Sequence, residues 1–386
     1  MKVFRSLAFV VTVATALAAC GGAATPAPSA APVTSATAAP AATATTPSSA
    51  ASAMPVGSAP GASVAPVASA SALSCKVPAG KTVVVGYATK SATNTGWLVI
   101  NLGATNAAKD CGAQLITEGP QTPEDTAQQV AIMDDFIARH VNAIAIAPTD
   151  SAAVVPVVQK ATTADIPVVA VDTAVNGTVA TSFAATNNDR AASLAAQWLI
   201  QRVNGQAKVI MINGNVAQQT GAARRDGFLK YIQANAPGIQ VVSQVATNWD
   251  TPTVVSGLES ALVAHPEATV VYVAWGTGTV AAYNYIAQKG LQNKIIVTGF
   301  CSSPDCSQIM GENKIQGGAS QFLYNEGYYG VQTAIEAALG QKVPAYVDTQ
   351  EQITTPANVC DYWHKAGYLT LKLVTIPAAM ASTCKP

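Results

Sequence analysis

The sequence predicts an α/β protein built as two doubly wound parallel-sheet lobes, and three observations predict it. From Lys81 onward, short apolar β-branched runs alternate with longer helical stretches, the pattern of parallel strands covered on both faces by helices. The alternation passes through four strands and then begins again for four more. The chain has 386 residues, more than one hydrophobic core holds.

In the first series the expected strands are Thr82–Tyr87, Ala113–Thr117, Ala143–Ala147 and Pro167–Val171. Helices are expected over Trp97–Asp110, Pro123–His140 and Ser151–Ala164. The second of these shows the helical period: Val130, Met133, Phe136 and Ile137 share a face, and Glu124, Asp125 and Asp134 lie elsewhere. Pro123 suits a first helical position. In the second series, strands are expected over Lys208–Ile212, Ile239–Val245, Thr269–Ala274 and Lys294–Gly299. Helices fit Asp189–Val203, Ala222–Ala236, Pro252–His265 and Thr279–Gly290. Open parallel sheets bind ligands beyond the carboxyl ends of their strands, so two facing lobes define a cleft.

The N-terminus predicts export. Lys2 and Arg5 precede an apolar stretch, Leu7 to Leu17, about half the ~20 residues of a membrane-spanning helix. The stretch ends in Leu17-Ala18-Ala19-Cys20-Gly21, which resembles the lipobox of bacterial lipoproteins. That likeness implies a signal peptide over 1–19 and an acylated Cys20. Acyl chains hold a membrane at roughly 0.8 kcal/mol per buried methylene, and more than one chain makes the hold durable. Residues 21–74 carry no charged side chain and are rich in Ala, Pro, Ser and Thr. Such a composition does not bury enough apolar surface to offset its ordering entropy, so 20–74 reads as a disordered tether reaching ~40 Å.

Besides Cys20, six cysteines remain: Cys75, Cys111, Cys301, Cys306, Cys360 and Cys384. An even number suits a compartment where disulfides persist, and six allow about fifteen connectivities. Topology favours Cys75 with Cys111 at one sheet edge, Cys301 with Cys306 across a short loop, and Cys384 stapling the tail to Cys360.

The 21 basic and 21 acidic residues balance, so there is no electrostatic footprint for nucleic acid. His140, His265 and His364 lack the spacing of a metal site or a nucleophile partner. No glycine-rich or phosphate-binding loop follows a strand. The expectation is therefore a non-enzymatic chain without metal or cofactor.

Four motifs occur in order: Pro148-Thr149-Asp150-Ser151, Ile166-Pro167-Val168-Val169, Arg224-Arg225-Asp226-Gly227-Phe228 and Val297-Thr298-Gly299-Phe300. As an ordered set they resemble the type I periplasmic binding proteins of the ribose-binding kind, over Lys81 to Pro356. The resemblance implies two lobes joined by a three-crossing hinge, with crossings near Thr186, Phe322 and Val343–Val347. One lobe would hold 81–186 and 322–343, the other 187–321 and 347–356, with 357–386 left as a cysteine-containing tail.

Carried over by position, the resemblance assigns a ligand to Asn94, Trp97, Asp172, Trp249 and Gln321. Trp275 stands where the family has an asparagine. Thr173 and Ala222 replace two ligand arginines, and Cys301 replaces an aspartate. Bidentate arginine contacts are strong and directional, so their loss argues against ribose itself. Added tryptophan suggests a larger or more apolar solute. Asp150 reads as a helix cap and Trp198 as core. The implied role is extracytoplasmic capture of a carbohydrate or related solute for an ABC permease, with the membrane reached through the lipid on Cys20. A sensory lipoprotein and a non-transport surface lipoprotein are the alternatives.

Overall fold

The computed structural model describes residues 75–122 and 124–385. The leader, Cys20, the tether and Pro123 lie outside the described residues. The chain runs β1 (Val84–Ala88), α1 (Thr95–Cys111), β2 (Gln114–Glu118), α2 (Thr126–Ala138), β3 (Ala143–Ile146), α3 (Val155–Thr163), β4 (Val168–Val171) and β5 (Ser182–Ala185). A second series holds α4 (Asn188–Arg202), β6 (Ala207–Asn213), α5 (Gln219–Asn235), β7 (Ile239–Ala246), α6 (Thr251–Ala264), β8 (Val270–Val273), α7 (Gly276–Gln288), β9 (Ile296–Gly299) and α8 (Pro304–Gly311). Then come β10 (Gly318–Gln321), α9 (Leu323–Ala338), β11 (Tyr346–Asp348), β12 (Glu351–Thr354) and α10 (Val359–Lys365).

The first lobe is a six-stranded parallel sheet in the order β11-β5-β4-β3-β1-β2. Its inner strands are buried on both faces. Val85, Tyr87, Ala143 and Ala145 join the cluster on one side, and Ala88, Ile144 and Ile146 join the cluster on the other. The second lobe is a four-stranded parallel sheet, β7-β6-β8-β9. A Phe300–Ala319 bridge links it to the antiparallel pair β10-β12. Val209 and Met211 face one core there, Ile210 and Ile212 the other. This is the expected α/β class.

Helix starts differ from the expectation where a side chain caps the backbone. Asp125 accepts from Gln128 N at 3.0 Å, so α2 begins at Thr126 and not at 123. Glu124 sits in the left-handed region at φ 67° and stays outside the helix. Asn94 accepts from Gly96 N and Trp97 N, which starts α1 two residues ahead of Trp97. Asp150 accepts from Ala152 N and Ala153 N at 2.8 Å, capping the turn ahead of α3 as its sequence position suggested.

In the first lobe α9 returns to lie along α1. The two helices touch backbone to backbone, because a Cβ on Gly103 would stand 2.1 Å from Tyr324 O and one on Gly327 would stand 1.8 Å from Ile100 O. Only glycine permits that approach.

The chain crosses between lobes three times. The first crossing lies between β5 and α4, and the second at Phe322 between β10 and α9. The third corrects the expected position near Val343–Val347. Tyr346 and Val347 still pair with Phe183 and Ala184 of β5, so the chain leaves the first lobe only at Thr349 and Gln350. The expected boundary missed β11 because a three-residue strand carries too little pattern. Hydrogen bonds tie the crossings together: Thr186 Oγ1 donates to Gln350 O at 3.2 Å, and Glu326 accepts from Thr186 N. Arg190 brackets the third crossing through Asp348 and Glu351.

Among the described residues three disulfides are present, Cys75–Cys111, Cys301–Cys306 and Cys360–Cys384, the pairing that topology favoured. Cys360, His364 and Cys384 bring their ligand atoms within 4.8 Å of one another, but both sulfurs belong to the same disulfide.

Candidate ligand-binding site

A cavity of about 620 Å³ lies between the two sheets, at the carboxyl ends of their strands. Asn94, Trp97, Asp172, Trp249, Trp275 and Gln321 all line it, so the structure brings together all six residues named from sequence. Their tasks differ from one another.

Asp172 follows β4 with a left-handed backbone, φ 61°, and is almost fully buried. Its Oδ2 accepts from Thr173 Oγ1 at 2.6 Å and lies 3.4 Å from Lys90 Nζ. Lys90 was not singled out in the sequence. It follows β1, is 3% exposed, and donates to Thr173 Oγ1 at 2.7 Å and Gln218 Oε1 at 2.8 Å. Its ammonium also stands 5.4 Å from the Trp97 ring centre. The two arginines replaced by Thr173 and Ala222 are still absent, but a lysine from another loop reaches Thr173. A charge placed directly after an apolar strand was the available signal.

Arg224 is the second buried cation. It stacks on Phe300 with 4.1 Å to the ring centre and donates to Asn188 Oδ1, Ala274 O and Gln321 Oε1. Burial lowers its affinity for a proton, opposed by the negative charge of Asp172 and Glu326. Gln321 passes the chain of bonds on, donating from Nε2 to Glu326 Oε1 at 2.8 Å. Burial, then the nearby charge of Asp172, pushes the Glu326 carboxyl up to about 8. Its Oε2 has no hydrogen-bond partner among the described residues, the place for a proton. Sequence reading passed over Glu326, which looks like an ordinary acid in the first turn of a helix.

Gln218, also missed, has all its side-chain bonding positions engaged. Its oxygen accepts from Lys90 Nζ and from Trp249 Nε1 at 2.9 Å, and its amide donates to Thr149 O at 2.8 Å and to Glu124. Burial raises the Glu124 carboxyl above its ordinary range, against the lowering effect of Lys90.

Trp249 adopts a left-handed backbone, φ 64°, and meets Trp275 edge to face at 5.5 Å. A Cβ on Gly214 would stand 2.0 Å from the Trp249 ring, so glycine there makes room for it. Asn94 spends its oxygen on capping α1, and its amide donates to Thr277 Oγ1 at 3.3 Å on the second lobe. Cys301 is fully buried in its disulfide and does not line the cavity, whereas its neighbours Ser302 and Ser303 do. Trp198 packs against the second lobe's core beside Gly317, as expected.

Comparison with known proteins agrees with this geometry. Residues 85–342 match the domain described as "Periplasmic binding protein domain". A D-ribose/D-allose-binding protein of Pseudomonas aeruginosa is 27% identical over 260 residues, 65% of this chain and 81% of that one. The ribose import binding protein of Escherichia coli is 25% identical over 278 residues, 72% of this chain and 92% of its own. A carbohydrate transporter solute-binding protein of Agrobacterium radiobacter, solved with D-arabinose, superposes with a TM-score of 0.70 at 26% identity. That superposition covers 74% of this chain and 99% of the other. These relatives are named for binding a sugar or solute. Two parallel-sheet lobes, a three-crossing hinge, a cleft between them and a match over more than half its length show that the chain belongs to the periplasmic binding protein family.

Proposed function

We propose that this protein captures a sugar or sugar-like solute in the cleft and delivers it to an ABC importer, held at the membrane by lipid on Cys20. The carrying observation is the composition of the cavity. Trp97, Trp249 and Trp275 offer apolar ring surface for the C–H faces of a sugar, while Asp172, Lys90, Asn94 and Gln321 offer donors and acceptors for hydroxyls. A relative named for D-ribose and D-allose and a carbohydrate transporter protein solved with D-arabinose support a carbohydrate. Membership of the family carries an extracytoplasmic location. The apolar stretch ending at Ala19-Cys20 supports export and acylation.

Capture follows from the two-sided cleft. Only a closed arrangement lets a solute touch both lobes, so a ligand that does so favours closure by its differential contacts. With Trp275 standing where the family has an asparagine, the expected solute is larger or less polar than ribose. The test is thermal unfolding of purified protein against pentoses, hexoses, cyclic polyols and glycosides. A shift of several degrees with a subset is expected, and no shift across the panel would sink the reading. Acylation is tested separately, by mass measurement of the N-terminal peptide from wild type and Cys20→Ser.

A further inference from the structure

The segment that follows β12 lies beyond the matched domain, which ends at residue 342. It carries α10 and is stapled by Cys360–Cys384. It is also fastened to α8, where the Gln308 side chain pairs with the Thr375 backbone at 2.8 and 3.0 Å. Three of its aromatic residues, Tyr362, Trp363 and Tyr368, are fully buried.

The hydroxyls of the two tyrosines have a common destination. Tyr362 OH lies 2.9 Å from both Ser302 O and Gln321 O, and Tyr368 OH lies 2.5 Å from Ser302 O. Both carbonyls belong to residues that line the cleft. Ser302 follows β9, and Gln321 is the last residue before the second crossing. The same two residues are joined directly, Gln321 N donating to Ser302 Oγ at 2.9 Å. Tyr362 further packs against Phe322, the crossing residue itself, with ring centres 5.6 Å apart. Phenylalanine would fill this space as well, and burying a hydroxyl is unfavourable unless it is hydrogen-bonded. The hydroxyls are explained by the two carbonyls they hold.

We propose that the C-terminal segment is a brace for the binding site, with Tyr362 and Tyr368 as positioning residues that fix the Ser302–Ser303 wall and Gln321 at the second crossing. Neither tyrosine lines the cleft. They act through the backbone of residues that do, and the affinity part of the proposal rests on the sugar-binding reading.

The experiment compares wild-type full chain with Tyr362→Phe, Tyr368→Phe, the double variant and Trp363→Phe. Trp363 supplies the control: it packs under Gly311 of α8, and its Nε1 has no hydrogen-bond partner among the described residues. Hydrogen exchange is followed at the Gln321 amide, and dissociation is followed for whichever panel sugar gives the largest thermal shift. The double variant is expected to exchange about tenfold faster at Gln321 and to release sugar about three- to tenfold faster. Trp363→Phe is expected to lower the melting temperature without either change. Wild-type exchange in the double variant, or an equal acceleration in Trp363→Phe, would overturn the brace. If the double variant does not fold, the milder Tyr368→Phe, which keeps the Tyr362 bonds, decides by the same exchange measurement. If no sugar binds the wild type, exchange still decides the brace, and it is the solute reading that falls.

Discussion

Lys90 of the first lobe and Gln218 of the second meet across the cleft, ammonium to amide oxygen, at 2.8 Å. Gln218 also grips Thr149 O and Glu124 of the first lobe, so one neutral side chain clasps the two lobes. Replacing Gln218 by Ala removes the clasp and leaves polar partners to water. The ligand-stripped variant is expected to populate a more open arrangement, read as a larger radius of gyration by solution scattering. An unchanged radius would show that the hinge and not the clasp sets the opening.

The Lys90–Asp172 pair is buried, 3% and 9% exposed at its side chains. Removing one partner of a buried pair leaves the other charge uncompensated. Lys90→Met should therefore destabilise by about 3 kcal/mol, and adding Asp172→Asn should recover a substantial part. Denaturant unfolding of both variants checks this, and equal destabilisation in single and double variants would contradict it.

Gly214 gives a less direct route to the cleft. Its missing Cβ is the space that the Trp249 ring occupies. Gly214→Ala is expected to displace the ring and weaken solute binding about tenfold, close to the effect of Trp249→Ala. Titration calorimetry with the bound sugar measures both. Full affinity in Trp249→Ala would remove that residue from the binding surface.

Glu326 makes stability depend on pH in a stated direction. Its folded carboxyl is held at about 8, above the ordinary 4.5. Between these values the folded state binds more protons than the unfolded one, so this group's contribution is full below about 4.5 and is lost as pH rises through about 8. Wild type should lose melting temperature across that window relative to Glu326→Gln. Parallel melting curves for the two proteins would show that Glu326 is ionised throughout.

The lobes were legible because their strands are continuous apolar runs, Val168–Val171 and Val270–Val273 among them. β5, β10, β11 and β12 were not: they are about as short, but small and polar residues (SFAA, GASQ, YVD, EQIT) take the place of a continuous apolar run. Asp172 was legible as a charge closing an apolar strand, and Lys90 showed the same signal at β1. Gln218 was invisible for a different reason. Its partners Lys90, Glu124, Thr149 and Trp249 come from four loops, and no local pattern in a chain marks where loops converge. Asn94 shows the opposite limit: it lines the cavity, but half of its side chain serves the helix it caps.

The Cys75–Cys111 bond has a mechanical side. Cys75 is the first described residue, and the bond hands it to the last residue of α1, whose helix lies against α9 through the Gly103 and Gly327 contacts. A pull arriving from the N-terminal side would load that helix pair before it reached β1. The strand whose end carries Lys90 is thereby shielded from tension, and the cleft can keep its shape while the chain is tugged.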